Sequence, residues 1–127
     1  MEPLTYFDSV EDRLVSDPLI AVVDFVDRWQ TEVNGYFRAR LAFANGQHLE
    51  FSEYVQHSSS GKLEVITYAF QWMSADYGLL CRWDNTPHFP RLPGFPCHRR
   101  DGGEGNVFSD EPRTIFVVLE EIARRTV

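Results

Sequence analysis

Apolar and polar residues alternate on both sides of an Asn-Gly pair in the first half of the chain. Apolar residues occupy every second position of Phe37–Phe43, and Leu49 and Phe51 repeat the pattern after the turn. Period-two alternation is typical of strands with one buried face, and Asn45-Gly46 is a common hairpin turn. The sequence therefore predicts a β-hairpin over residues 36–55.

The length of this turn decides which residues pair. A two-residue loop would place apolar side chains opposite polar ones and mix the two faces of the hairpin. A three-residue loop over residues 44–46, with its glycine in the left-handed conformation, pairs Leu41 with Leu49 and keeps the faces separate. The same register sets Arg40 opposite Glu50, which predicts a cross-strand ion pair. We therefore predict the three-residue loop.

Three further segments are predicted to join this hairpin in a meander. Lys62–Met73 carries apolar residues on both faces, which predicts a central strand covered on both sides. Leu79–Asp84 is predicted to be the next strand. Leu19–Gln30 fits a helix as well as a strand, and we favour the strand because it extends the sheet by one edge.

Helices are predicted at both ends of the chain. Ser109 or Asp110 suits the cap of a C-terminal helix that has Pro112 near its start. The apolar stripe of that helix comprises Ile115, Phe116, Leu119, Ile122 and Ala123. A shorter helix is predicted around Glu2–Val15. The fold class is therefore α+β, an antiparallel meander of about four to five strands with a C-terminal helix and a short N-terminal helix packed on it.

Length and composition indicate one domain, residues 1–127, without a membrane segment. The chain has 127 residues, 43% of them hydrophobic, and no apolar run near the roughly 20 residues that span a bilayer. Met1–Asp12 lacks the basic and apolar regions of a signal peptide, so we expect a cytoplasmic protein. Cys81 and Cys97 are accordingly expected to be free thiols. No phosphate-binding loop or dinucleotide fingerprint is present, and we expect no cofactor.

The chain is acidic, with a formal net charge of −7. Nonspecific coating of nucleic acid needs a basic surface, so that class of protein is disfavoured. A local basic site for RNA is still compatible with this charge, and so is a basic protein partner.

Residues suited to polar chemistry concentrate between the predicted meander and the last helix. Four prolines in residues 87–96 predict an irregular loop there. The whole segment of interest, residues 81–100, starts on the last predicted strand and includes this loop. It contains Arg82, Asp84, Asn85, His88, Arg91, His98, Arg99 and Arg100. Polar residues on a loop held by a rigid sheet are where functional sites usually lie.

These residue types suit the cleavage of RNA through its 2′-hydroxyl group. His88 and His98 are candidates for general base and acid, with Asp84 as a third catalytic candidate. The candidate substrate-binding residues are Arg82, Asn85, Arg91, Arg99 and Arg100, joined by Arg38 and Arg40 if the hairpin meets the loop. The alternatives are structural: a histidine bonded to loop carbonyl groups, and an Asp84 bonded to Arg82 or to its own backbone. Cys97 and His98 are adjacent and lack the spacing of a zinc site, so no metal is predicted.

Several strings resemble the TumE family, the toxin component of prokaryotic TumE/TumA toxin–antitoxin pairs. The matching strings are Tyr68–Trp72, Gly78–Asn85, Pro87-His88 and Phe95–His98. The resemblance implies a small α+β toxin that is neutralised by an antitoxin of the helix-turn-helix type, and a ribonuclease activity. The family's loop is richer in histidine than this one, which further argues against a metal site.

Two functional hypotheses follow from these observations. The first is a toxin of the ribonuclease kind, favoured by the loop rich in arginine, histidine and Asp-Asn. The second is a non-enzymatic module that acts by binding a protein partner, favoured by the acidic charge and the few histidines. The sequence leaves the oligomeric state open.

Overall fold

The computed structural model of the protein describes residues 3–126, which form one antiparallel sheet and two helices. The strands follow one another in chain order: β1 Ile20–Gln30, β2 Asn34–Phe43, β3 His48–His57, β4 Leu63–Met73, β5 Leu79–Asp84, β6 His98–Asp101 and β7 Val107–Ser109. The helices are α1 Pro3–Ser16 and α2 Ile115–Arg125. The α+β class and both helices are confirmed, and residue 2 of the predicted first helix lies outside the described residues.

The predicted number of strands was wrong, because the sheet has seven strands instead of four to five. The two additional strands, β6 and β7, lie after the segment that was predicted to be an irregular loop. Every proline of that loop precedes Cys97, so the backbone N–H groups of β6 are free to pair with β5. The proline-rich segment is therefore a connection between two neighbouring strands.

The β2–β3 hairpin has the predicted three-residue loop. Arg40 lies opposite Glu50 and Leu41 lies opposite Leu49. Gly46 has a φ of 90°, a left-handed conformation that glycine adopts without steric cost. Matching the buried faces of the two strands was therefore enough to choose the turn.

The segment that was compatible with a helix or a strand is the strand β1, which forms one edge of the sheet. Its register against β2 shifts twice, between Ile20 and Val22 and between Phe25 and Asp27. Val22 and Phe25 are exposed to 57% and 39%, and β1 is the least buried of the long strands.

The helices cover only one face of the sheet, which we call the core face. Its fully buried large side chains include Phe7 and Leu14 from α1, Phe37, Phe51 and Phe70 from the strands, and Ile115 from α2. The prediction that β4 is covered on both sides was wrong, because Phe70 and Trp72 are buried while Ala69 and Gln71 on the other face are half-buried. The second face of the sheet is the open face.

The start of α2 differs from the prediction. Thr114 caps this helix with an extended backbone, and its side chain accepts a hydrogen bond from Val117 N. Of the two predicted caps, Ser109 ends β7 and Asp110 bonds the guanidinium of Arg113. The helix buries Val118 where the predicted stripe had Phe116, which is half-buried.

A carboxyl group is buried where α1 and α2 meet the core face. Glu53 is 1% exposed, and it accepts hydrogen bonds from the Tyr6 hydroxyl at 2.7 Å and from Ile115 N at 2.9 Å. Burial raises the pKa of Glu53 to about 7, although these two hydrogen bonds act in the opposite direction. Glu53 thus joins both helices to β3 through one side chain.

Candidate functional site

The open face carries two neighbouring rows of mostly polar side chains. The strand register sets the members of each row opposite one another across the sheet. The first row comprises Asp24, Arg40, Glu50, Gln71, Arg82 and Arg100. The second row comprises Asp27, Arg38, Ser52, Ala69, Asp84 and His98. The hairpin arginines and the residues of the proline-rich segment therefore share one surface.

Short side chains in the middle of the second row leave a groove between longer ones. Ser52 and Ala69 form its floor, and the groove has a volume of about 240 Å³. Its walls are Tyr36, Arg38, Glu50, Gln71 and Arg82. Two guanidinium groups from distant parts of the chain thus border one small concave site.

Arg82 is fixed in this groove by two acceptors. Its Nε donates to Asp84 Oδ2 at 2.9 Å, which confirms the predicted pair, and its Nη1 donates to Gln71 Oε1 at 2.7 Å. Among the described residues, Arg82 Nη2 has no hydrogen-bond acceptor. Because Nε and Nη1 are bonded and Nη2 is not, the guanidinium group is preorganised to bind a further anionic or carbonyl oxygen through Nη2.

Asp84 and His98 form a buried pair behind Arg82. Asp84 Oδ1 accepts a hydrogen bond from Thr86 N at 3.0 Å, and His98 Nε2 lies 3.0 Å from the same oxygen. Nε2 forms no hydrogen bond with the described residues, so the contact with Asp84 is a close approach rather than a hydrogen bond. His98 Nδ1 donates to the Pro96 carbonyl oxygen at 3.1 Å. Asp84 and His98 are only 4% and 1% exposed, so both are enclosed, and Asp84 reaches Arg82 through its second oxygen.

The proline-rich loop covers the β6 end of the open face. The Phe89 ring lies 4.9 Å from the His98 ring, edge to face, and the Arg100 guanidinium stacks over Phe89 at 5.7 Å. His88 is exposed, and its ring lies 6.3 Å from that of Phe89. Of the two predicted catalytic histidines, His88 is therefore accessible to a substrate and His98 is enclosed.

The arginines of the hairpin are balanced by a carboxylate. Glu50 Oε1 accepts a hydrogen bond from Arg38 Nη2 at 2.7 Å and lies 3.5 Å from Arg40 Nε. The hydrogen bond from Arg38 lowers the pKa of Glu50, so this carboxylate is ionised at neutral pH. Arg38 borders the groove, whereas Arg40 lies beyond it on the same strand.

The remaining predicted site residues have other surroundings. Asn85 accepts from Tyr68 N and donates to the Ile66 carbonyl oxygen, which extends the pairing of β4 and β5. Arg91 is exposed in the loop and forms none of the ion pairs found among residues 3–126. Arg99 points to the core side of β6, where it stacks over Phe108 at 5.0 Å.

The cysteines and the metal-ligating residue types form no second site in the described chain. Cys81 and Cys97 are free, as predicted, and both are buried. Burial raises the pKa of the Cys81 thiol to about 12, so this thiol is a poor nucleophile. Within the described residues, no group of three or more His, Cys, Asp or Glu side chains is arranged to hold a metal ion.

The sequence reasoning did not identify Tyr36 and Gln71 as part of the site. Gln71 is opposite both Glu50 and Arg82, so its role follows from the register on its two sides. Tyr36 lies two residues before Arg38 on the same strand and thus shares its face. Both residues could have been found from the sequence by continuing the strand alternation of the hairpin into the neighbouring strands.

The loop and the strands that position this site are matched by a family model described as toxin TumE, over residues 10–126. The chain belongs to the TumE toxin family. This match spans β1 to α2, and it gives the protein a toxin role. Comparison with curated proteins and with solved structures found no significant match. Neither described helix of this TumE-family chain is long and apolar enough to span a membrane.

Proposed function

We propose that this TumE-family toxin inhibits growth by cleaving RNA. The observation that carries the proposal is Arg82, which Asp84 and Gln71 fix at the groove with a donor left over. A positively charged group held in place is what a phosphate in the transition state requires. Arg38 approaches the same groove from β2 and supplies a second cation.

His88 is the proposed general base or acid. Its imidazole is exposed, it follows Pro87, and it belongs to the loop that covers the β6 end of the open face. An imidazole exchanges protons near neutral pH, which suits the removal of a proton from a 2′-hydroxyl group or its delivery to a leaving oxygen. Because Asp84 and His98 are buried, we assign them the role of positioning Arg82.

The toxin role also implies a protein that neutralises it. We propose an antitoxin of the helix-turn-helix type, as the family resemblance implies, which binds this chain in the cytoplasm. The net charge of −7 favours a basic contact surface on that antitoxin.

The proposal is tested by expressing wild type, His88→Ala and His88→Gln without any antitoxin. Growth, the integrity of cellular RNA and the melting temperature of each purified protein are measured together. We expect both variants to keep the wild-type melting temperature and to lose roughly 10²–10⁴ in cleavage rate. Full growth inhibition by a folded His88→Ala protein would remove His88 from the mechanism and contradict the proposed catalysis.

A second candidate function is favoured by the edge strand β1. Val22, Val26 and Trp29 are exposed to 57%, 41% and 44% on a strand that forms one edge of the sheet built by the described residues. Such an edge pairs readily with a segment of another protein. Growth inhibition that is abolished by Val26→Lys and unaffected by His88→Ala, with cellular RNA intact, would favour a non-enzymatic protein-binding module.

A further inference from the structure

An aromatic row lies directly beside the groove on the open face. Trp29 on β1 is opposite Tyr36 on β2, which is opposite Tyr54 on β3. The Trp29 and Tyr54 rings are 6.3 Å apart, and Trp29 is 44% exposed. Tyr36 also forms part of the groove wall, so the aromatic row and the two arginines border the same depression.

We propose that the open face binds unpaired RNA, with a phosphate in the groove between Arg38 and Arg82 and bases stacked on Tyr36 and Trp29. This inference rests on the proposed function and names its substrate class. Proteins that bind single strands combine a cationic groove with aromatic side chains on which successive bases stack. The base faces of a duplex are hidden in the helix, so exposed rings on a sheet select unpaired RNA.

The size of the groove also suits one phosphate group rather than an entire drug-sized molecule. Its volume of about 240 Å³ is below the roughly 300–1,000 Å³ of pockets that enclose drug-sized molecules. Arg38 and Arg82 stand three strands apart and two residues out of register, roughly 16 Å between their backbones, and their side chains approach the groove from opposite sides. Arg82 offers Nη2, and Ser52 on the floor offers a hydroxyl group.

The acidic residues of this face restrict where the RNA backbone lies. Glu50 and Asp84 already accept hydrogen bonds from Arg38 and Arg82. The other two acidic residues, Asp24 and Asp27, stand on β1, opposite Arg40 and Arg38. Phosphates are therefore disfavoured over β1, whereas uncharged bases are accepted there on Trp29. The arrangement places the backbone over β2–β5 and directs bases toward the β1 edge.

Binding is measured with a fluorescent single-stranded 2′-O-methyl RNA oligonucleotide. Without a free 2′-hydroxyl group it resists the proposed cleavage, so binding and catalysis are assayed separately. We expect Tyr36→Ala to weaken binding roughly 5–150-fold, the range for the loss of one stacked base, and Tyr36→Phe to bind nearly like wild type. Melting temperatures of both variants establish that they fold.

The cationic part of the site is tested with Arg38→Ala, and Arg124→Ala is its matched control. Both remove one positive charge, but Arg124 lies on α2, behind the core face, with its side chain 65% exposed. We expect Arg38→Ala to weaken binding and to lower the salt-dependence slope by about 1, and Arg124→Ala to change neither.

Three results would overturn the inference: a Tyr36→Ala protein that binds like wild type, equal losses in Arg38→Ala and Arg124→Ala, or a duplex competitor as effective as the single strand. If the predicted binding is found while wild-type protein leaves unmodified RNA intact, the proposed ribonuclease activity fails and the binding inference stands. The two proposals are therefore distinguishable in one set of measurements.

Discussion

Replacing Glu53 by glutamine should change how the stability of this toxin depends on pH. Glu53 is buried, and both of its carboxylate oxygens accept hydrogen bonds, one from the Tyr6 hydroxyl and one from Ile115 N. A glutamine oxygen can accept from Ile115 N, and its amide can donate to the Tyr6 oxygen once that hydroxyl rotates. Glu53→Gln therefore preserves the shape and the hydrogen bonds while removing the titration.

The sign and size of the effect follow from the pKa of Glu53, which burial raises from its ordinary value of 4.5 to about 7. Between these pH values the folded protein holds a proton that the unfolded chain has released, so the free energy of unfolding falls as pH rises. The loss begins near pH 4.5 and is complete above pH 7. Since one pKa unit corresponds to about 1.36 kcal/mol, the total is on the order of 3 kcal/mol.

The contribution of Glu53 to the free energy of unfolding is measured by urea unfolding of wild type and Glu53→Gln from pH 5 to pH 8. Tryptophan fluorescence follows the transition. The difference between the two proteins cancels the contribution of the other titrating groups. We expect the variant to gain stability relative to wild type as pH rises, by on the order of 3 kcal/mol by pH 8. A difference that stays constant over this range would refute the reasoning.

Glu50→Gln provides the matched control for this experiment. Glu50 lies on the same strand but on the open face, and its pKa is lowered by the hydrogen bond from Arg38. Its stabilising contribution is present above its ordinary pKa and is lost as pH falls. The pH dependence that burial of Glu53 produces should therefore persist in the Glu50→Gln protein.

Two further substitutions test stability, one behind the groove and one in the proline-rich loop. Asp84→Ala leaves the half-buried Arg82 and the buried His98 without the carboxylate that both contact. We expect this variant to lower the free energy of unfolding, measured by urea titration, by about 3 kcal/mol. A loss below about 1 kcal/mol would show that the cluster is not coupled to the fold. Gly94 has a φ of 81°, and a Cβ atom there would overlap the Asp110 carbonyl oxygen. We expect Gly94→Ala to cost about 1–3 kcal/mol by thermal unfolding, whereas Gly105→Ala, at an unstrained position with open space around it, should be nearly neutral.

The β2–β3 hairpin at the centre of the fold was predictable because the alternation of apolar and polar residues determines its register. Alternation assigns each residue of β2 and β3 to a face, and only one turn length keeps both apolar sets together. The pair of Arg82 and Asp84 was predictable for the same reason, since residues two apart on a strand share a face.

The short strands and the cap of α2 were not predictable in this way. β7 has three residues and β6 has four, too few for a periodic pattern. Asp110 and Thr114 both suit a helix cap by residue type, and the choice depends on the ion pair that Asp110 forms with Arg113. These features are decided by tertiary contacts that local propensity does not contain.

The groove was missed because its two walls meet only through the full register of the sheet. The pairing of β4 and β5 contains an irregularity between Trp72 and Met73. Counting outward from the connection between the two predicted strands would therefore shift the register. A shift by one residue moves Gln71 away from Arg82 and removes the second acceptor that holds the guanidinium group.

The core and the candidate site lie on opposite faces of the sheet, so site residues can be substituted without unfolding the protein. The buried aromatic residues and both helices lie on the core face, whereas Arg38 and Tyr36 are partly exposed on the open face. Asp84 and His98 are the exception, because they are polar, buried and on the open face. A buried ionic cluster is a weak source of stability, since desolvation offsets most of its attraction. Its presence beneath the loop is better explained by Arg82, a residue of the groove wall whose guanidinium group Asp84 holds together with Gln71.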